Sequence, residues 1–147
     1  MSKYAGYGTL FNFGDGVGGN ETFAPISYVT NLGGPGLSLD TEDVTSHDQA
    51  TAWEEVVPTI LRSGEVSLDL VFDPADDTQD FTEALALGSQ LEARGAATNW
   101  KIIWPNHATH TEWIFPAHVT GWEPSAPVDG ALTIAAKLKI SGAPTLV

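Results

Sequence analysis

A mainly β fold, an antiparallel β-sandwich or barrel with one flanking α-helix and a long loop set aside for contacts between subunits, is what this 147-residue sequence predicts. Three observations lead there. Several segments alternate apolar and polar residues with the two-residue period of a half-buried strand. A single segment shows helical spacing. Between Gly33 and Gly64 neither period is sustained, yet the stretch is too apolar to be a linker.

Taken in order, Tyr7 to Phe13 and Phe23 to Asn31 read as strands around a glycine-rich turn. In Glu65 to Phe72, Val66, Leu68, Leu70 and Phe72 alternate with Glu65, Ser67 and Asp69. The helix follows, with Asp76 or Asp77 as its N-cap, Asp80 in its first turn, and Arg94 and Gly95 at its end. Phe81, Ala84, Leu85, Gly88 and Leu91 share a helical face that packs on a sheet. Trp100, Ile102 and Trp104 resume the strand period, as do Trp113, Phe115, Ala117 and Val119. The last run is the longest: Leu132, Ile134, Ala136, Leu138 and Ile140 form one face, with Thr133, Lys137, Lys139 and Ser141 on the other.

The segment from Gly33 to Gly64 fits none of these patterns. Compact domains connect elements by about 4 to 6 residues, and structureless loops beyond about 15 are functional or disordered. Disordered segments lack apolar residues, whereas Leu37, Leu39, Val44, Trp53, Val56, Val57, Ile60 and Leu61 are spread through this one. Another copy of the chain is the simplest cover for them.

Length and composition predict one domain, 1–147, with a core that needs no staples. There is no cysteine, hence no disulfide framework and no thiolate chemistry. The N-terminus lacks a signal-type apolar run, and no stretch of about 18 apolar residues occurs, so a soluble chain with no membrane span and no export signal is expected. Six Lys+Arg stand against 19 Asp+Glu, a net of −13. Phosphate binding works by cationic side chains releasing counterions, so this balance excludes a nucleic-acid grip, though not a surface that repels DNA.

Motifs of chemistry are weak. Gly14, Gly16 and Gly19 match a dinucleotide fingerprint, but the residues after them read as strand where the mechanism needs a helix N-terminus, so a hairpin turn is expected. Asp73, Asp76, Asp77 and Asp80 lack the glycine and closing glutamate of a calcium loop. His107, His110 and His118 come with no cysteine and no helical pair, which predicts solvated loop histidines and no metal. Ser46, His47 and Asp48 are sequence neighbours, an order that does not bring a nucleophile, base and acid together. No enzyme and no cofactor are expected. The competing class is a carbohydrate- or receptor-binding β-sandwich using Trp100, Trp104 or Trp113 as a stacking surface.

GYGTLF near the start, GPGLSLDTEDVTSHD, GEVSLDLVFDP and the closing VTGWEPSAPVDGALTIAAKLKISGAPTL together resemble the major tail proteins, or tail tube proteins, of long-tailed, non-contractile bacteriophages. The resemblance runs over essentially the whole chain in order. It implies a β-sandwich with one flanking helix, six subunits to a ring, and rings stacked into a hollow tube that conducts the genome during ejection. It also implies a virion location after assembly in the host cytoplasm, with tape-measure, tail terminator and tail-tip or baseplate proteins as partners. DNA passes through the lumen without specific binding. The immunoglobulin-like domain that some members carry after the GAPTL segment is not expected here. On this reading Leu37, Leu39, Asp40, Val44 and Trp53 lie in inter-subunit contacts, and Glu65, Asp69 and Asp129 are the candidate acids of the lumen.

Overall fold

The computed structural model describes residues 6–14, 22–79, 81, 86–93, 97–105 and 112–146. The strands are β1 (Leu10–Gly14), β2 (Phe23–Pro25), β3 (Val29–Gly33), β4 (Ser38–Asp43), β5 (Val56–Arg62), β6 (Glu65–Val71), β7 (Thr98–Ile103), β8 (Glu112–Ser125), β9 (Thr133–Ile140) and β10 (Thr145–Leu146). One helix, α1 (Leu87–Ala93), lies between β6 and β7. The order β2-β1-β7-β8-β9-β6-β3 makes one antiparallel sheet, with β10 also on β8, while among the described residues β4 and β5 pair only with each other.

The 14-residue β8 turns this sheet into two layers. Its first half pairs with β7, Thr98 opposite Ala117 and Ile103 opposite Glu112, and its second half pairs with β9 as far as Ser125 opposite Thr133. The change of partner falls at Ala117, and a register shift between Val119 and Gly121 follows within the part paired with β9. A bulge bends a strand, which lets one strand serve two sheets at a corner.

Between the layers lies a core from β1, β6, β7, β8 and β9. Trp100 is fully buried, stacked on Phe11 at 5.3 Å with Phe13 at 4.6 Å. The two-residue period holds through β6 and β9: Val66, Leu68, Leu70, Ile134, Ala136, Leu138 and Ile140 are buried, while Glu65, Ser67, Asp69, Ala135, Lys137 and Lys139 are exposed. Leu87 seats α1 against this core, and Gly88 is buried as the helical face requires.

Two expected elements differ. Phe23 to Asn31 is not one strand but two, β2 and β3, broken at Tyr28, whose φ is +60°. The helix does not start at Asp76 or Asp77. Residues 77–79 form a turn in which the Asp76 carboxylate accepts from the Thr78 amide at 2.8 Å and from its hydroxyl, and Asp73 accepts from the Ala75 amide at 2.9 Å. Short acidic side chains bond to backbone two residues on and compete with a helix for it. Asp80, Ala84, Leu85, Arg94 and Gly95 lie outside the described residues, as do Gly16, Gly19, His107 and His110.

Candidate assembly surfaces

The stretch read as an irregular loop is an ordered two-stranded arm. β-branched Val56, Val57, Thr59 and Ile60 favour extended backbone, and Pro58 is tolerated because β5 has only one neighbour. Leu39 stands opposite Leu61 and Asp43 opposite Val56, with a register shift between Leu39 and Thr41. The shift places Asp40 across from Thr59, whose hydroxyl donates to the Asp40 carbonyl at 3.1 Å. Arg62 Nε donates to Asp40 Oδ2 at 2.7 Å. Sequence reading missed the arm because apolar alternation records a buried face, and this hairpin has none: neither strand contains a buried residue.

The tip, 44–55, is tied together by its own bonds. The Val44 amide donates to the Glu55 carbonyl at 2.9 Å, and the Glu55 amide to Thr45 Oγ1 at 2.9 Å. Gln49 Nε2 donates to the Trp53 carbonyl at 2.5 Å. The Thr45 hydroxyl and amide donate to Asp43, and this holds its carboxyl below the usual range. Ser46 Oγ donates to Asp48 at 2.6 Å and lowers that carboxyl likewise, so the serine proton points to the acid and not to His47. The hydroxyl is thereby occupied in a turn.

Of the predicted contact residues, Leu37, Leu39, Val44 and Trp53 are all exposed, Trp53 at 80%, while Asp40 is half-buried beneath Arg62. Val56, Val57, Ile60 and Leu61 extend this apolar surface along the arm. At its root the glycines are required: Gly64 has φ +71°, and a Cβ there would run into the Gly36 carbonyl. Beside the root is an apolar groove of about 530 Å³, walled by Leu37, Leu61, Ile140 and Pro144 and carrying Arg62 and Lys139. Ser63 Oγ closes its floor by donating to the Gly142 carbonyl at 2.7 Å.

Glu65 and Asp69 share the exposed face of β6, whereas Asp129 sits apart in the turn between β8 and β9. The face is not uniformly acidic. Lys139 stands opposite Glu65 and Lys137 opposite Ser67, with His118 of β8 next to Lys139. The outer strands of the large sheet, β2 and β3, each have one neighbour among the described residues, leaving an unpaired edge at both ends.

The tryptophan platform does not form. Trp100 is sealed in the core, and Trp104 and Trp113 meet edge to face at 5.2 Å, both half-buried. Nothing in the residue pattern singled out Gln79. Fully buried, its Nε2 donates to the Ser27 and Val71 carbonyls at 2.9 Å and its Oε1 accepts from the Asp73 amide at 3.0 Å. Trp122 Nε1 donates to the Gln79 carbonyl at 2.9 Å. This knot joins the turn between β2 and β3, β6, β8 and the turn ahead of α1.

A family model described as the lambda phage tail tube protein matches residues 5–147. Among solved structures, the tail of an empty gene transfer agent particle, refined with C6 symmetry, aligns with TM-score 0.70 at 18% identity, covering 99% of each chain. A sheath/tube terminator of an extracellular contractile injection system aligns with TM-score 0.70 at 13% identity, covering 100% of this chain and 98% of the other. The SPP1 tail tube aligns with TM-score 0.58 at 13% identity, covering 94% and 74%. At such identities the likeness is one of fold, and because it includes a contractile system it does not single out the non-contractile class. No curated protein matches by sequence.

Proposed function

This chain belongs to the lambda phage tail tube protein family, and from that membership we propose that six copies close into a ring and that rings stack into a tube through which DNA passes. The family is one of structural virion proteins, and the role is that of a tube subunit. The observation that carries the assembly reading is the arm formed by β4 and β5, which adds nothing to the core yet exposes eight large apolar residues, Leu37 to Leu61. Monomers rarely keep so continuous an apolar surface in water. Leu37, Leu39, Asp40, Val44 and Trp53 are assigned to contacts between subunits.

The unpaired edges of β2 and β3 support ring closure, since edge-to-edge pairing between copies satisfies backbone groups that a lone subunit leaves to water. The exposed face of β6, β8 and β9 is proposed to look into the bore. Glu65 and Asp69 then face the passing DNA from a wall where Lys137 offsets part of the negative charge. Asp129, in a turn, belongs to the rim of the subunit on this reading. A terminator, a tape-measure protein and a tip or baseplate protein would cap, measure and start the tube, built in the host cytoplasm.

Negative-stain electron microscopy of the purified protein tests the proposal. Six-fold rings or tubes are the expected result. A strictly monomeric population at concentrations well above micromolar would overturn it.

A further inference from the structure

We propose that the groove at the root of the arm receives the acidic, tryptophan-bearing arm tip of a second copy of this chain. The inference rests on the arm being an assembly element and adds the surface it grips.

Charge and shape select this occupant. The groove walls are apolar, and Arg62 and Lys139, two of the chain's six Lys+Arg, lie in its lining. The tip supplies the complement: Asp43, Asp48, Glu54 and Glu55 share it with Trp53, and residues 43–55 contain no lysine or arginine. Arg62 spends one donor on Asp40 and has others in its five-donor fork to offer. An apolar cavity of about 150 Å³ accepts benzene, so a groove of about 530 Å³ has room for an indole and its neighbours. The other exposed apolar tip, Val128 between β8 and β9, offers one aliphatic residue beside a single acid, Asp129.

The contact has to join different copies. Ile60 to Arg62 of β5 already belong to the groove, and the four extended residues Val56 to Thr59, about 13 Å at about 3.3 Å per residue, hold the tip away from it. Each subunit therefore presents a plug at one end of the arm and a socket at the other. Such head-to-tail contacts repeat without limit unless the geometry closes them, and this is how rings would stack.

Cysteine pairing tests the contact, because the chain has no cysteine of its own. Ala52→Cys lies beside Trp53 and Ala143→Cys lies in the groove wall. Oxidation of assembled particles of the double variant is expected to give a ladder of covalent multimers on a non-reducing gel, and an equimolar mixture of the two single variants only a dimer. Normal tubes without a ladder overturn the groove and leave the tube intact. A double variant and parent that both remain monomeric by light scattering overturn the tube and the groove with it. Leu61→Asp, at a site 80% exposed, provides an independent measure. It is expected to leave the circular dichroism spectrum unchanged and to raise the protein concentration needed for tubes at least tenfold; an unchanged threshold overturns the proposal.

Discussion

Replacing residues 40–60 by Asn-Gly removes most of the arm and joins Leu39 to Leu61, which already face each other across the ladder. A two-residue Asn-Gly turn is the preferred closure for such a pair. The monomer should lose little. No core residue lies between Gly33 and Gly64, and a lone two-stranded hairpin is at best marginally stable. Assembly should lose much more. The replacement deletes Val44, Trp53, Val56, Val57 and Ile60, each exposed by about half or more. Covering each half-exposed aliphatic is worth roughly 1 kcal/mol and Trp53 roughly 2, on the order of 6 kcal/mol per subunit. At about 1.4 kcal/mol per factor of ten, that is about four orders of magnitude in association constant, before the ordering costs of association are subtracted. The expected result is a melting temperature within a few degrees of the parent and no tubes in micrographs at concentrations where the parent forms them. Tubes of normal length from the shortened chain would refute the assignment of the arm.

Gln79→Leu keeps the volume and removes three hydrogen bonds to partly buried backbone groups. A loss of about 2–3 kcal/mol is expected, read as a fall of roughly 5–10 °C in melting temperature for a chain of this size; an unchanged midpoint would show that water replaces the knot. Asp43 has its carboxyl lowered by the Thr45 hydroxyl and amide bonds. A depressed folded value means the turn is favoured above the unfolded carboxylate range and released as pH falls through the folded value. The Thr45 amide resonance should therefore titrate with a midpoint below the free aspartate value of about 3.9, and Thr45→Ala should move that midpoint up. Asp69→Lys sits on the exposed face of β6 and should allow tubes to form while slowing DNA ejection, as a cationic wall holds phosphates. Ejection at the parental rate would remove Asp69 from the bore.

How much of this was legible depended on which residues had a buried side. β6 and β9 have one inward face each, so Val66, Leu68 and Leu70, and Ile134 to Ile140, announced their strands by alternation alone. The helix was readable from Gly88 and Leu91, but its start was misplaced, because acids spaced to cap a helix serve equally well as turn residues and only the backbone of Asp73 to Gln79 decides between them. The arm was visible as surplus apolar surface and invisible as strands, since both of its faces are exposed and Pro58 interrupts the pattern. Gln79 had no signature, because a buried glutamine looks like a surface one until its partners are known. The failure at the arm has a wider cause. A subunit that is completed by its neighbours, as proposed, carries apolar residues in surfaces that one copy leaves open, so that part of its sequence follows the rules of a buried interior where the single chain shows none. The apolar residues from Leu37 to Leu61 and the free edges of β2 and β3 break the rules of a monomer. Both fit the rules of a polymer in the proposed assembly, where the edges would close within a ring and the arm would reach beyond it.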